Sequence, residues 1–186
     1  MELLTSIFSA FGLSASAGLN AYIPLLVIGV MDHYTDWLNL QKPWDTLSNP
    51  WILILLGILL IVEILADKIP AVNHLNDAIQ TFVRPAAGAV AFAASTNVVS
   101  DVHPVLALAC GLLVAGTVHV GKAAVVRPIV TATTGGTANV AVSAAEDVTS
   151  TVVSVLAILV PLVIGILLLI GLAFLISWWW NRPAKT

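Results

Sequence analysis

Two carboxylic acids, Glu63 and Asp67, lie four residues apart near the end of an apolar run that begins at Trp51. In a helix this spacing places both side chains on one face, about 6 Å apart. Lys68 follows at once, and because a helix rises about 1.5 Å per residue, Glu63 lies about 7 Å deeper in a membrane than Lys68. A lone carboxylate at that depth is costly to keep ionised. Glu63 is therefore predicted to be protonated, hydrogen-bonded or paired with a cation.

Two arginines are the nearest cations to these acids along the predicted topology. Arg84 and Arg127 each precede a proline and a segment rich in small residues. The expected buried network consists of Glu63, Asp67, Arg84 and Arg127, with Lys68 at its rim. Two interpretations remain open: the network is a structural clamp that pins three helices together, or it is a pathway for an ion or a proton.

A second set of polar residues follows the segment 128 to 145 at helical spacing. One face carries Arg127, Thr131 and Thr134, and the adjacent face carries Asn139, Ser143 and Glu146. Hydroxyl and amide groups at these intervals predict a polar lane that ends at the acidic pair Glu146 and Asp147. We expect an ion or a small solute to use this lane.

Glycines interrupt two segments near their middles. Gly135 and Gly136 weaken the helix of the fifth segment, and Gly18-Leu19-Asn20 does the same in the first. Broken helices are common binding devices in secondary transporters, because freed backbone groups replace water around a solute. Asn20 is therefore a candidate pathway residue. The alternative is close packing at the glycines, with threonine hydroxyls bonded back to their own helix.

Several other polar residues have two interpretations. Glu146 and Asp147 either attract cations at an outer vestibule or form a solvated helix start. His119 either relays protons near neutral pH or is a satisfied histidine at the membrane interface. Asp77 is a further candidate for the pathway. With His74 it would need a third ligand to hold a metal ion, and no metal site is predicted.

The composition places these residues in a membrane protein. Of 186 residues, 59% are hydrophobic and only 9% are charged, far from the balance of a soluble domain. A helix needs about 20 apolar residues to cross a bilayer. We predict an all-α bundle forming a single integral membrane domain, with about six transmembrane segments, of which the first and fifth are broken or re-entrant. The predicted spans are 3–31, 51–68, 86–100, 104–121, 128–145 and 148–178.

Small residues and amphipathic spacing refine this picture. Ala87, Ala91 and Ser95 repeat every four residues, as do Gly111 and Ala115, which predicts close helix packing. The segment 70–83 is amphipathic and is predicted to be a short helix on the inner surface. Val-Arg-Pro occurs at 83–85 and again at 126–128, which indicates either an internal repeat or chance, with each proline in the first turn of a helix.

The distribution of cations predicts the orientation in the membrane. Six crossings that begin in the cytoplasm place all but one of the cations on the inner side, as expected for cytoplasmic loops. The inner cations are Lys68, Arg84, Lys122, Arg127, Arg182 and Lys185, and the outer one is Lys42. Both termini are then cytoplasmic. If the segment 128–145 instead dips in and returns, the C-terminus moves outside.

The sequence offers little support for other classes of protein. The one cysteine, Cys110, has no partner for a disulfide, and the net charge of -3 with no basic cluster argues against nucleic-acid binding. Zinc-peptidase, nucleotide-binding and serine-hydrolase motifs are missing. We therefore expect no cofactor and lean against an enzyme, although membrane enzymes that act on lipid phosphates also place polar residues at helix breaks.

Five motifs together resemble a family of small bacterial multi-pass proteins classified as a domain of unknown function. They are GLNAYIPL, VEILADKIP, VRPAAGA, Arg127-Pro128 and SAAED, within residues 10 to 165. The resemblance implies residence in the bacterial inner membrane and no particular activity. It marks as important Glu63, Asp67, Lys68, Pro70, Asp77, Arg84, Pro85, Gly88, Arg127, Ser143, Glu146 and Asp147. This chain has Asn20 where many members of the family have a basic residue.

Taken together, these patterns favour a small transporter or channel-like protein that moves an ion or a small solute. Coupling would pass through the carboxylate and arginine side chains. The first alternative is a structural or lipid-interacting protein, such as a scramblase or an assembly factor. The second is a lipid-active membrane enzyme. The partners expected are the lipid bilayer and the solute, and the small-residue stripes also favour a homo-oligomer.

Overall fold

The protein is described here by a computed structural model, which covers residues 2–67, 70–96, 102–135 and 137–180. Helices make up nearly all of this part of the chain, and it contains no strand. In order they are α1 (Glu2–Leu19), α2 (Tyr22–Tyr34), a 3-10 helix (Trp44–Ser48), α3 (Pro50–Asp67), α4 (Pro70–Thr96), α5 (Pro104–Gly121), a π-helical turn (Lys122–Val126), α6 (Arg127–Thr134), α7 (Asn139–Leu159) and α8 (Pro161–Trp180). The predicted all-α class is confirmed.

Three helical stretches in the described residues are long and apolar enough to cross a membrane. They are Pro50–Asp67, Pro104–Thr134 and Asn139–Leu159. Helices over Leu4–Leu19 and Tyr22–Tyr34 are apolar but shorter. Because a crossing takes about 20 apolar residues, these stretches indicate a membrane protein.

Large apolar side chains lie on the outside of the bundle and small ones lie inside. The exposed set includes Ile54, Ile58, Ile61, Leu106, Leu113, Leu172 and Phe174. The buried set is dominated by alanines: Ala10, Ala17, Ala21, Ala87, Ala91, Ala93, Ala94, Ala107, Ala115 and Ala157. Water would disfavour so much exposed apolar surface, whereas lipid accepts it and small residues let membrane helices approach closely.

The first predicted segment is a hairpin of two helices. Trp37, which follows α2, lines a pocket with Thr5 and Ser6 near the start of α1, so α2 returns along the side of α1. The tip of the hairpin is Asn20 and Ala21, between the end of α1 and the start of α2. The predicted break is confirmed, and the two halves run in opposite directions rather than forming one span.

Gly18 has a different role from the predicted one. It lies inside α1, and a Cβ there would collide with the Ala115 carbonyl oxygen and the Val118 side chain of α5. Gly18 therefore allows α1 and α5 to touch, and the break follows two residues later at Asn20.

Helix α4 is continuous from Pro70 to Thr96, with Pro85 inside it. The prediction of a separate surface helix at 70–83 and a span at 86–100 is therefore wrong, and Pro85 does not start a helix. Proline is tolerated within membrane helices because neighbouring groups satisfy the freed carbonyl. Here α4 packs along both α1 and α5, and this packing outweighs the proline.

Helices α5 and α6 also form one rod, from Pro104 to Thr134. The π-helical turn Lys122–Val126 joins them directly before Arg127 and Pro128. A widened turn of this kind is frequent at functional sites. The predicted boundary between spans 104–121 and 128–145 is therefore wrong, because the backbone passes through it without leaving a helical course.

The fifth segment is broken, as predicted, at Gly135, whose φ of 63° is left-handed and ends α6. After this turn α7 runs from Asn139 to Leu159 through Glu146 and Asp147. The predicted division between spans 128–145 and 148–178 is wrong, since the chain leaves helical geometry at Gly135 and at Val160 instead. Gly136 lies outside the described residues.

The predicted small-residue stripes pack where α1, α4 and α5 meet. Ala87, Ala91 and Ser95 are buried on α4, and Gly111 and Ala115 are buried on α5. A Cβ on Gly88 would collide with Ala115, so these two helices are in close contact. The prediction that these stripes pack helices is confirmed.

Helices α7 and α8 run in opposite directions in the bundle. On α7, Ser150 and Ser154 bond to Ser16, whereas Ile158 lies beside Thr5 and Ser6, so α7 runs antiparallel to α1. On α8, Pro161 lies near the start of α1. Leu172 then lies beside Phe11 and Ala15, and α8 therefore runs in the same direction as α1.

Candidate functional site

Four carboxylic acids and three cations gather at one end of the bundle, around the tip of the α1–α2 hairpin. We call them the acid–base cluster. Its members are Glu63 and Asp67 on α3, Arg84 on α4, Lys122 in the π-helical turn, Arg127 on α6, and Glu146 and Asp147 on α7. Five separate elements thus bring their charged side chains to one place.

Glu63 and Arg84 form a fully buried ion pair between α3 and α4. Arg84 Nη2 lies 2.9 Å from Glu63 Oε1, and the two side chains are 1% and 2% exposed. Arg84 Nη1 lies 3.4 Å from Nδ1 of His119 on α5, and His119 Nε2 lies 3.2 Å from the Thr81 hydroxyl. The pair is therefore held from a third helix as well.

Three buried polar atoms at and beside this pair can form further hydrogen bonds. Glu63 Oε2, Gln80 Oε1 and Arg84 Nε are buried without a hydrogen-bond partner among the described residues. Gln80 and Arg84 are four residues apart on α4, so their side chains face the same way. Two acceptors and one donor at such a place suit a small hydrogen-bonding species such as water.

Asp67 is the most fully bonded acid of the cluster. Its Oδ1 accepts a bond of 2.8 Å from the Asn76 amide, and its Oδ2 accepts one of 2.6 Å from the Ser143 hydroxyl. Arg127 Nη2 lies 3.5 Å from the same Oδ2 and donates to Ser143 at 3.4 Å. Asp67 thereby connects α3 with α4, α6 and α7.

Lys122 is the cation closest to the hairpin tip. Its Nζ lies 2.5 Å from Glu146 Oε2 and donates to the Leu19 carbonyl oxygen at 3.4 Å. Leu19 is the last residue of α1, where carbonyl groups lack partners within the helix and carry partial negative charge. The ammonium group therefore occupies a pocket of oxygen atoms made by one helix end and one carboxylate.

Asn20 joins the hairpin tip to α7. Its side-chain oxygen accepts bonds from the backbone N–H groups of Tyr22 and Ile23, and so caps the start of α2. Its amide donates to Asp147 Oδ1 at 2.9 Å. Asn20 is 1% exposed, so the break is buried within the bundle.

Asp147 differs from the other three acids. Each of Glu63, Asp67 and Glu146 has a Lys or Arg nitrogen within 4.0 Å. Among the described residues, Asp147 has none and is held by the neutral Asn20 amide. Among the residues that the structure describes, four carboxylates against three Lys and Arg side chains leave the cluster one positive charge short when all are ionised. The shortage falls at Asp147.

Two clefts flank α7 beside the cluster. One has a volume of about 440 Å³ and lies between α2, α3 and α7, with Asp147 among its lining residues. The other, of about 360 Å³, lies between the rod of α5 and α6 and helix α7, with Lys122 and Glu146 among its lining residues. The remaining walls of both are almost entirely apolar.

The structure brings together most of the residues that the sequence marks as candidates, but it moves two of them. Glu146 and Asp147 are not a solvated helix start, because both lie inside α7 and Glu146 pairs with the buried Lys122. The reason is that α7 begins at Asn139, before both acids, and packs along α1.

Other predicted residues lie outside the cluster. Thr131 and Thr134 are exposed on α6, where Thr134 bonds back to the Val130 carbonyl oxygen and Thr131 accepts a bond of 3.2 Å from Asn139. Beyond Arg127 and Ser143, the threonines of the predicted polar lane lie on the exposed surface of α6. Lys68 lies outside the described residues, as does the side chain of Asp77 on α4. In the described part of the chain no three His, Cys, Asp or Glu side chains are grouped to hold a metal ion.

Sequence reasoning missed two buried polar residues on α4. Asn76 and Gln80 are buried with Arg84 on one face of α4, and His119, which the sequence analysis did name, is buried against Arg84 from α5. Their spacing of four residues is visible in the sequence. This polar face was overlooked because the opposite face of the helix carries an apolar stripe. Ile79 and Phe82 of that stripe are exposed, as expected for a face in contact with lipid.

Comparison with known proteins gives one match. The family described as a domain of unknown function (DUF4126) has a model that matches residues 7–182. No curated protein and no solved structure shows a significant match to the chain.

Proposed function

We propose that this chain, which belongs to the DUF4126 family, is a small membrane transporter that moves an ion or a small solute by loading a proton or cation at Asp147. The observation that carries the proposal is the missing positive charge of the acid–base cluster, which falls at Asp147 beside a helix break. Buried charges are expensive in membrane proteins and add little to stability compared with apolar packing. Their presence in this number favours a function.

The broken helix supports this proposal. The Leu19 carbonyl oxygen and the capped N–H groups of α2 meet at Asn20, and helix ends of this kind hold ions and solutes in secondary transporters. The ammonium group of Lys122 already binds the Leu19 carbonyl oxygen at one of these helix ends. A transported cation or a proton would bind at the carboxylate of Asp147.

Coupling follows from the neighbours of Asp147. When Asp147 is ionised, it attracts the amide of Asn20 and the cations of the cluster. When it binds a proton or a cation, that attraction falls. The hairpin tip and α7 are then held together less strongly, which provides two states with different affinities for the bound species.

We propose that the protein resides in a bacterial inner membrane with the acid–base cluster towards the cytoplasm. Arg84, Lys122 and Arg127 lie at the cluster end, whereas Lys42 lies in the loop at the other end, in agreement with the excess of cations on the cytoplasmic side. Because α1 and α8 run in the same direction, this orientation places the start of α1 outside and the end of α8 inside. The sequence alone favoured cytoplasmic locations for both.

Proton movement in reconstituted liposomes tests the transport proposal. Purified protein is placed in vesicles that contain a pH-sensitive dye, and a potassium diffusion potential is imposed. We expect the wild-type protein to carry protons, and Asp147→Asn to reduce the rate at least about tenfold because the loading group is lost. Asp36→Asn is the matched control, since it removes one negative charge at an exposed position at the other end of the bundle.

The outcomes separate the interpretations. Flux that persists unchanged in Asp147→Asn would overturn loading at Asp147. If neither protons nor cations of any kind move through the wild-type protein, the transport proposal falls and a structural role for the ion pairs is favoured.

A second candidate function is interaction with lipid. The cleft of about 360 Å³ beside Lys122 and Glu146 is open at the surface and has apolar walls formed by Val118, Val126 and Val142. An acyl chain would fit such walls while the headgroup meets the ion pair, as in a scramblase. Reconstitution with fluorescent phospholipids tests this candidate, because scrambling makes the dye on both leaflets accessible to an external reductant.

A further inference from the structure

The cleft between α2, α3 and α7 combines apolar walls with a single carboxylic acid. Its volume is about 440 Å³, within the range of small-molecule sites. The walls are formed by Ile23, Leu26, Leu60, Ile64 and Val152, and Asp147 is the one ionisable residue among its lining residues. We infer that this cleft binds a lipophilic monovalent cation, an inference that rests on the proposed function and names its class of solute.

The carboxylate of Asp147 favours a ligand with a positive charge. The cations near Asp147 are already engaged, since Lys122 pairs with Glu146 and Arg84 pairs with Glu63. Asp147 is therefore free to pair with a cation that comes from outside the protein. An anion would meet the carboxylate without a compensating charge, and a neutral molecule would gain at most a hydrogen bond from it.

The aliphatic walls of the cleft favour a ligand with apolar substituents. Aliphatic side chains from three helices offer contact area and no hydrogen bonds, so a small hydrated ion would lose its water without replacement. A cation that carries apolar substituents instead gains about 25 cal/mol for each Å² of apolar surface that it buries. Protonated hydrophobic amines and quaternary ammonium or phosphonium ions meet both requirements.

The location of the cleft gives such a ligand a route. Asp147 lies twelve residues before the end of α7 at Leu159, or about 18 Å along the helix, so it is well inside the apolar span. Val152 is 50% exposed on the outer side of the cleft, where lipid would cover the bundle. A lipophilic cation that partitions into the bilayer would enter from the side, without crossing an aqueous vestibule.

Binding of tetraphenylphosphonium tests the inference directly. The full-length protein in nanodiscs of zwitterionic lipid is titrated with the radiolabelled cation, and saturable binding above that of empty nanodiscs is measured. We expect the wild-type protein to bind and Asp147→Asn to weaken affinity at least about tenfold. Asp36→Asn should bind as the wild type does. Radiolabelled tetraphenylborate, an anion of the same shape that is titrated alone, should show no saturable binding.

A second variant covers the case in which Asp147→Asn disturbs folding. Val152→Phe adds bulk to the cleft wall and leaves every charge in place, so we expect at least about tenfold weaker binding with an unchanged thermal unfolding temperature. Binding of tetraphenylphosphonium that survives both variants, or saturable binding of tetraphenylborate alone, overturns the inference.

The two proposals fail separately. If the wild-type protein does not bind tetraphenylphosphonium while proton flux depends on Asp147, the lipophilic-cation site is wrong and the transport proposal stands. If binding depends on Asp147 and no cation moves across the vesicle membrane, the site stands and the transport proposal falls.

Discussion

The Asn20 amide donates a hydrogen bond of 2.9 Å to Asp147, and so ties the tip of the α1–α2 hairpin to the middle of α7. Asn20 lies outside any helix, and Asp147 lacks a Lys or Arg partner among the described residues. The break between two helices and the one cluster acid without such a partner thus meet at one hydrogen bond.

Replacing Asn20 by lysine should supply the missing cation. The new ammonium group would pair with Asp147, and the cluster would then hold four acids and four Lys or Arg side chains. We expect proton flux to fall at least about tenfold, because a paired carboxylate no longer needs a proton or an external cation. Asn20→Gln keeps the neutral amide and is the control. Wild-type flux in Asn20→Lys would show that the pairing state of Asp147 is irrelevant.

The Glu63 and Arg84 pair should show strong energetic coupling. Removing one partner leaves a buried charge without compensation and costs about 3–5 kcal/mol, whereas replacing both by apolar residues costs much less. We expect Glu63→Leu and Arg84→Met to be severely destabilising alone and far less than additive together. The free energy of unfolding in detergent micelles, measured for all four proteins of the cycle, checks this. Additive losses would mean that the two residues act independently.

The contact between α4 and α5 should tolerate no added side chain. A Cβ on Gly88 meets Ala115, whereas a Cβ on Gly57 of α3 meets nothing within 4 Å. We expect Gly88→Val to destabilise the protein by about 1–3 kcal/mol or more. Gly57→Val should have little effect. Thermal unfolding of both variants compares them, and equal unfolding temperatures would contradict the close approach of the two helices.

The direction of the helices can be tested by labelling cysteines from outside. In a Cys110→Ala background, Leu4→Cys marks the start of α1 and Thr134→Cys marks the end of α6, both exposed positions at opposite ends of the bundle. In intact cells a membrane-impermeant maleimide should label Leu4→Cys and not Thr134→Cys. Labelling of both after the membrane is permeabilised is the control. The reverse pattern would invert the proposed orientation, and labelling of both in intact cells would contradict the bundle geometry.

The sequence was sufficient to predict the fold class, the two broken segments and one central contact. Periodicity and composition predicted the all-α class and both broken segments, and the cost of a buried carboxylate led to the expectation that Glu63 and Arg84 would meet. Each of these inferences depends on local spacing or on a general energetic rule. None of them requires knowledge of the direction of a helix.

The direction of each helix could not be predicted in the same way. Hydropathy does not distinguish one span of 29 residues over 3–31 from a hairpin of two shorter helices. For that reason Asn20 was not expected beside Asp147, nor Lys122 beside Glu146. Pro85 also indicated a helix start, because the packing of α4 against α1 and α5 that overrides it involves residues distant in sequence.

The rod from Pro104 to Thr134 has 31 residues and is about 46 Å long, whereas the hydrocarbon core of a bilayer is about 30 Å thick. If the rod stands nearly upright, about 16 Å of it extends into the aqueous phase, and its threonine-rich end has the polarity suited to water. Helix α5, from Pro104 to Gly121, is about 27 Å long, which is close to the thickness of the hydrocarbon core. The π-helical turn that carries Lys122 therefore lies where the rod would leave the hydrocarbon, and the threonine-rich α6 is the part that would extend into water.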